Sequence, residues 1–121
     1  VVITCDNIME IDINKLIDEY YKNGEKSILV GVEGIDENAD KVKFKGNKIT
    51  EIGKNLKSNI FLSGLQIINI KKIQKENKKF NNFYNVWESL INNNELIISE
   101  HKPESWSAID TQEELNNYFN L

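Results

Sequence analysis

The sequence predicts an α/β domain with a mixed, mostly parallel sheet, flanking helices and an inserted β-hairpin. Residues 1–4 and 27–32 are short apolar runs, and Asp12 opens a helical pattern between them. A strand, a helix and a strand in this order form the unit from which parallel sheets are built. Residues 41–45 and 48–52 alternate between polar and apolar side chains on either side of a Gly-Asn dipeptide. That alternation around a turn is typical of a β-hairpin with one solvated face.

The bulk properties of the chain indicate one ordinary globular domain over residues 1–121. Of these 121 residues, 40% are hydrophobic and 28% are charged, which is typical of folded domains and not of disordered or membrane chains. The net charge of −4 and the pI of about 5.1 argue against a nucleic-acid partner, which would normally meet a basic face. No apolar run approaches the roughly 18 residues of a membrane span, and no signal peptide is visible. We therefore expect no membrane partner.

The cysteine and basic residues constrain the chemistry further. Cys5 is the only cysteine, so an intrachain disulfide is excluded and a reducing, cytoplasmic location fits. All 15 basic residues are lysines. Because the chain offers no guanidinium group, any anion must be bound by lysine, by backbone N–H groups or by a metal ion.

The first helix is predicted by its capping residues and its periodicity. Asp12 is a typical N-cap residue, and Gly24 stands where the helical pattern stops. Apolar side chains recur between them at helical spacing, at Ile13, Leu16, Ile17, Tyr20 and Tyr21.

The middle of the chain contains the longest strand candidate, residues 60–68. Gly64 interrupts it, and a glycine inside a strand often marks the close approach of a ligand or of another backbone segment. Asn69 follows as the predicted cap of a helix that extends to about residue 77.

The last third is predicted to hold two helices and two short strands, the strands at residues 95–99 and 105–109. The first of these helices carries an apolar stripe formed by Phe83, Val86, Trp87, Leu90 and Ile91. Residues 111–114 read Thr-Gln-Glu-Glu, a capping box that opens the final helix. We expect Leu115, Tyr118 and Phe119 of that helix to face inward.

Asp6 and Asp110 are the first candidate site residues, because each follows a predicted strand. Ligands and metal ions collect at the carboxyl ends of strands in open α/β sheets. If the fold brings the two carboxylates together, they can share a divalent metal ion. The alternative for Asp6 is an ordinary turn or cap residue. Asp110 can equally serve the positive N-terminus of the helix that follows it.

Lys54 is the third candidate, in the segment Glu-Ile-Gly-Lys-Asn. Gly53 would let the backbone turn so that Lys54 reaches a phosphate; the alternative is a solvated lysine in a turn. No Walker A motif, zinc-ligand spacing or serine elbow is present. The remaining reactive or aromatic residues are interpreted as surface loop (His101) or core (Cys5, Trp87 and Trp106).

The order of these motifs resembles the C-terminal half of the sugar-phosphate and alditol-phosphate nucleotidyltransferases, which have a GT-A-like fold. Four segments carry the resemblance over nearly the whole chain: residues 1–7, 41–54, 61–67 and 106–115. The last, WSAIDTQEEL, is similar to the family's closing Trp-x-x-(Ile/Val)-x-Thr-x-Glu-(Asp/Glu) element. The Ile-Gly-Lys sequence that ends the second segment resembles members that make CDP-alcohols, such as inositol-phosphate and phosphocholine cytidylyltransferases.

The resemblance implies an activity and a set of site residues. Asp6 and Asp110 would hold Mg²⁺, and both would be catalytic together with Lys54. The acceptor would be bound by Lys54, Ser63 and Gly64. The implied reaction transfers a nucleoside monophosphate from a nucleoside triphosphate, CTP or UTP, to a phosphorylated sugar or alcohol and releases pyrophosphate.

The resemblance also implies that something essential lies outside these residues. The family's Gly-rich nucleotide loop belongs to an N-terminal half of about a hundred residues, and the chain starts at Val1 in a strand-like run. We therefore expect a longer enzyme, of which these 121 residues alone are inactive. The competing interpretation is a non-catalytic α/β binding or assembly module derived from the same fold. An exposed sheet edge could in either case pair two copies of the chain into a homo-oligomer.

Overall fold

The structure is a computed structural model, and it describes residues 1–3, 7–34, 37–75, 79–108 and 111–119. The strands within these ranges are β1 (Val2–Ile3), β2 (Asn7–Glu10), β3 (Ser27–Glu33), β4 (Lys41–Lys45), β5 (Lys48–Gly53), β6 (Ile60–Ile67), β7 (Leu96–Ile98) and β8 (Ser105–Ala108). The helices are α1 (Ile13–Lys22), α2 (Ile70–Gln74), α3 (Phe83–Asn92) and α4 (Gln112–Phe119). The mixed α/β architecture and the inserted hairpin predicted from the sequence are confirmed.

The described strands form a six-stranded sheet in the order β1-β6-β3-β7-β5-β4 and a separate ribbon of β2 and β8. Within the described residues β3 and β7 form the one parallel pair, and every other pairing is antiparallel. The prediction of a mostly parallel sheet is therefore wrong. Strands β1 and β3 do point the same way, since both are antiparallel to β6. They are not neighbours, because β6 lies between them, and periodicity cannot reveal such an insertion.

The hairpin of β4 and β5 curls back onto β6. Lys41 is the cross-strand partner of both Gly53 in β5 and Phe61 in β6. The backbone N–H of Leu62 donates to the Asp40 carbonyl at 2.8 Å, which continues this contact. The open end of the hairpin, where residues 53 and 54 follow β5, is thereby fixed beside the start of β6.

Helix α1 begins and ends where the sequence predicts. The Asp12 side chain accepts hydrogen bonds from the backbone N–H groups of Asn14 and Lys15, which have no partner inside the helix. At the other end, Gly24 takes a φ of +68°. That left-handed conformation lets the next residue donate its N–H to the Tyr20 carbonyl at 2.9 Å and so close the helix.

The core lies on both faces of the sheet. Leu16 of α1 packs on one face with Ile28, Val30, Leu65, Ile67 and Ile97. Trp87 and Leu90 of α3 pack on the other face with Leu29, Val42, Ile49, Leu96 and Ile98. Trp87 is 9% exposed, and its indole N–H donates to the Gln66 side chain at 3.0 Å. The interpretation of Trp87 as a core residue is confirmed.

The remaining helices follow the predictions in part. Asn69 caps α2, which ends at Gln74, earlier than predicted, and residues 76–78 lie outside the described ranges. The capping box at α4 is present, since the Thr111 hydroxyl accepts from the Glu114 N–H at 3.1 Å. Leu115 is partly buried. Phe119, in contrast, is 56% exposed, so the expectation that it faces inward is wrong, because more than half of its surface lies in solvent. The Tyr118 side chain lies outside the described residues.

None of the helices in the described ranges is long and apolar enough to cross a membrane. The helices α1 and α3 have ten residues each, about half the length that a bilayer requires.

Candidate functional site

In the ribbon, β2, which follows Asp6 in the chain, pairs with β8, which precedes Asp110. Its register pairs Asn7 with Ala108 and Met9 with Trp106. Asp6 immediately precedes β2 in the chain, and Asp110 comes two residues after β8. Both aspartates lie outside the described residues, so their role as metal ligands stays a prediction. Across the residues that are described, no group of three or more Asp, Glu, His or Cys side chains could hold a metal ion.

Gly64 lies at a bulge in β6. Leu29 pairs with Gln66, but Gly31 pairs with Leu62, so three residues of β6 oppose a single residue of β3. Gly64 takes a φ of +96°, a backbone conformation that side chains with a Cβ rarely adopt. The interrupting glycine predicted from the sequence is therefore required by the backbone itself. Bulges of this kind bend a strand and are often found beside active sites.

Ser63 holds the bulge in shape. Its side chain is fully buried, and the hydroxyl oxygen accepts a hydrogen bond from the Leu65 N–H at 3.2 Å. The hydroxyl thus gives the Leu65 N–H an acceptor at a point where the strand pairing is irregular. The role of Ser63 as an acceptor-binding residue stays a prediction.

Trp106 connects the ribbon to this bulge. Its indole N–H donates to the Ser63 carbonyl at 2.8 Å. Its ring meets Phe61 edge to face, with 5.1 Å between the ring centroids. The side chain is partly buried, which agrees with its interpretation as an anchor. The β2–β8 ribbon and the Gly64 bulge are therefore held in a fixed relation to each other.

Lys54 lies at the open end of the hairpin, next to the row formed by Gly53, Lys41 and Phe61 across three strands. The Lys54 side chain is exposed. Its backbone carbonyl accepts a hydrogen bond from the Lys41 ammonium at 2.9 Å. Lys41 is not among the site residues predicted from the sequence. Its pairing with Gly53 follows from the hairpin, but its pairing with Phe61 depends on a contact that no local pattern encodes.

Asp40, the residue before Lys41, forms a hydrogen bond with a residue of α3. Its carboxylate accepts a hydrogen bond from the Tyr84 hydroxyl at 2.7 Å. This bond, followed by burial and the charge of Asp40, raises the pKa of Tyr84 above its usual value, because the neutral phenol is the form that donates. The Asp40 carboxylate, the nearest to Lys41 in sequence, thus has the Tyr84 phenol as a hydrogen-bond donor.

His101 is partly exposed, and its Nε2 lies 3.7 Å from the Glu100 carboxylate. Its backbone N–H donates to the Ser99 hydroxyl. Cys5 lies outside the described residues.

Comparison with known proteins supports the fold of nucleotidyltransferases. No family profile and no curated protein sequence matches the chain. Among solved structures, a protein described as a glucose-1-phosphate thymidylyltransferase from Bacillus anthracis matches 95% of the chain with a TM-score of 0.78 and 19% identity. The inositol-1-phosphate CTP transferase from T. maritima matches 94% with a TM-score of 0.67 and 20% identity.

The fold of this chain is therefore that of part of a sugar-phosphate nucleotidyltransferase, as the sequence resemblance predicts. The chain spans about half the length of these two proteins, 50% in each case. Both neighbours are enzymes by name, and their names give a sugar phosphate and an alcohol phosphate as acceptors.

Proposed function

We propose that this chain is the metal- and acceptor-binding part of a nucleotidyltransferase. The reaction transfers a nucleoside monophosphate from CTP or UTP to a phosphorylated sugar or alcohol. An oxygen of the acceptor phosphate attacks the α-phosphorus in line, and the bond to the leaving pyrophosphate breaks. A phosphate is already an anion at neutral pH, so no general base is needed, and a catalytic histidine is not required.

The observation that carries the proposal is the pairing of β2 with β8. Asp6 and Asp110 are more than a hundred residues apart in sequence, yet they flank two strands whose residues Asn7 and Ala108 are cross-strand partners. Asp6 is one residue and Asp110 two residues from these paired positions. A transferase would need both carboxylates near this end of the ribbon, whereas a non-catalytic module would not depend on them.

The donor set fits Mg²⁺, which is commonly bound through one or two carboxylates together with substrate phosphates. We propose Asp6 and Asp110 as its ligands. When bound, Mg²⁺ would neutralise charge between the two approaching anions and fix their geometry.

Three further residues complete the proposed site. Lys54 would bind the acceptor phosphate as a point charge. Gly64, which lacks a side chain, would let the bulged strand approach the acceptor closely. Ser63 would be the third, because its hydroxyl, which accepts from Leu65, keeps a proton that it can donate.

The proposal includes the cellular and molecular setting. The Gly-rich nucleotide loop would come from outside these 121 residues, so this part alone would be inactive. The enzyme would work in the cytoplasm without a nucleic-acid or membrane partner, and two copies could associate through the sheet edge. The alternative is a non-catalytic binding or assembly module of the same fold.

A pyrophosphate-release assay on the complete protein tests the proposal. CTP and UTP would each be combined with glucose 1-phosphate and inositol 1-phosphate in the presence of Mg²⁺. We expect release with at least one pair, and we expect Asp6→Asn and Asp110→Asn to abolish it while the circular dichroism spectrum stays unchanged. Asp18→Asn is the matched control, because Asp18 is exposed on α1, and it should retain activity.

Two results would count against the proposal. Normal turnover by both Asp6→Asn and Asp110→Asn would exclude them as metal ligands. Absence of pyrophosphate release with every pair, in a folded protein, would favour the non-catalytic module.

A further inference from the structure

We propose that Lys41 is a second acceptor-binding residue, which acts beside Lys54 on the phosphate of the acceptor. This inference rests on the proposed function. It assigns a role to a lysine that is not among the site residues predicted from the sequence. It starts from the position of Lys41 in the sheet.

Lys41 lies on the same face of the sheet as the candidate site. Cross-strand partners project to the same side, so Gly53, Lys41 and Phe61 share one face. Val42, the next residue in β4, is buried against α3 on the opposite face. The face of Lys41 is therefore the one on which Trp106 packs against Phe61.

The cross-strand neighbours of Lys41 carry no charge. Gly53 on one side has no side chain, and Phe61 on the other side is covered by Trp106. The Lys41 side chain is partly buried, and its ammonium donates to the Lys54 carbonyl at 2.9 Å. That bond places the Lys41 ammonium beside the backbone of Lys54. An ammonium group carries three donors, so further donors remain for an anion.

The charge of Lys41 is uncompensated within the described residues. Among the described residues, none of the ion pairs involves Lys41 or Lys54. Asp40, which precedes Lys41, accepts from the Tyr84 hydroxyl. Lys43, in contrast, has an acidic residue, Glu51, as its cross-strand partner. The Lys41 ammonium, which lies beside the Lys54 backbone, is therefore a positive charge without an ionic partner among the described residues, and such a charge can bind a phosphate.

Binding of acceptor phosphates to the complete protein tests this inference. Glucose 1-phosphate and inositol 1-phosphate would be titrated into ¹⁵N-labelled protein, with glucose and inositol as uncharged controls. We expect Lys41→Met to raise the Kd of the phosphorylated ligands by about tenfold, as expected for one charge-assisted hydrogen bond. The matched control Lys43→Met, two residues along the same strand, should bind like the wild type.

A second variant separates charge from positioning. Lys41→Gln keeps a donor for the Lys54 carbonyl but has no charge, and we expect it to weaken binding as Lys41→Met does. It also keeps the test open if Lys41→Met fails to fold. Binding of the uncharged glucose and inositol should be the same in all variants, which a merely structural disturbance would not leave unchanged.

The outcomes separate this inference from the proposed function. If Lys54→Met weakens binding and both Lys41 variants bind normally, Lys41 is not an acceptor ligand and the proposed function stands. Equal weakening by Lys41→Met and Lys43→Met would indicate non-specific attraction and overturn the inference. If the wild type binds neither phosphate, both the inference and the proposed acceptor site are wrong.

Discussion

The indole N–H of Trp106 donates a hydrogen bond to the backbone carbonyl of Ser63 at 2.8 Å. Trp106 belongs to the β2–β8 ribbon, and Ser63 belongs to the bulge of β6. This bond therefore links the segment that adjoins Asp6 and Asp110 to the segment proposed to meet the acceptor. The distance between metal and acceptor would depend on it.

We predict that Trp106→Phe destabilises the protein by about 1–3 kcal/mol, because the buried Ser63 carbonyl loses its donor. Phenylalanine keeps an aromatic ring beside Phe61 but has no N–H to donate. Urea denaturation measures the loss. Hydrogen exchange should quicken mainly in β2, β8 and the bulge; uniform quickening across the whole sheet would contradict a local role for Trp106.

We predict that Gly64→Ala costs roughly 1–3 kcal/mol, because its φ of +96° is strained for any residue with a Cβ. Gly53→Ala is the matched control. An added Cβ at Gly53 would meet its nearest neighbour, Leu56, at 3.8 Å, an ordinary contact. Thermal unfolding of both variants compares them. Equal stability of the two alanine variants would show that the bulge does not require glycine.

We predict that Tyr84→Phe lowers stability at neutral pH by about 0.5–1.5 kcal/mol, the net value of one hydrogen bond. The pH dependence gives a sharper test. Since the folded pKa of Tyr84 is raised above the unfolded value, its contribution is complete below the unfolded pKa and is lost as pH rises through the folded pKa.

The stability difference between wild type and Tyr84→Phe should therefore shrink at alkaline pH. Urea denaturation of both proteins between neutral pH and about pH 11 measures it, near the ordinary tyrosine pKa of about 10. Burial also raises the pKa of Tyr20, but Tyr20 is present in both proteins and its effect cancels. A difference that is constant with pH would mean that the Tyr84–Asp40 bond is absent in solution.

Local features of the fold could be predicted from the sequence, and long-range ones could not. Asp12, Gly24, Asn69 and Thr111 act within a few residues of their position, so their caps and stops were predicted correctly. The insertion of β6 between β1 and β3 joins residues far apart in the chain. Hydrophobic periodicity carries no information on such pairings.

The candidate site also combines residues that local sequence predicts with residues that depend on long-range pairing. Gly64 stood out because glycine inside a strand has few explanations. Lys41 did not, because a lysine at the start of a hairpin strand is ordinary, and its importance comes from pairing with Phe61. Ser63 as an acceptor-binding residue stays a prediction. The hydrogen bond that its hydroxyl accepts from Leu65 depends on the bulge, which no local pattern encodes.

The central claim is that Asp6 and Asp110 share one divalent metal ion, and Mn²⁺ used in place of Mg²⁺ tests it most directly. Paramagnetic broadening of backbone amide signals would be measured in the wild type, Asp6→Asn, Asp110→Asn and the control Asp18→Asn. We predict that Mn²⁺ broadens residues 7–10 and 105–108 in the wild type and the control, and that either substitution at the site removes this broadening. Broadening that persists in both variants, or that lies elsewhere in the protein, would contradict the claim.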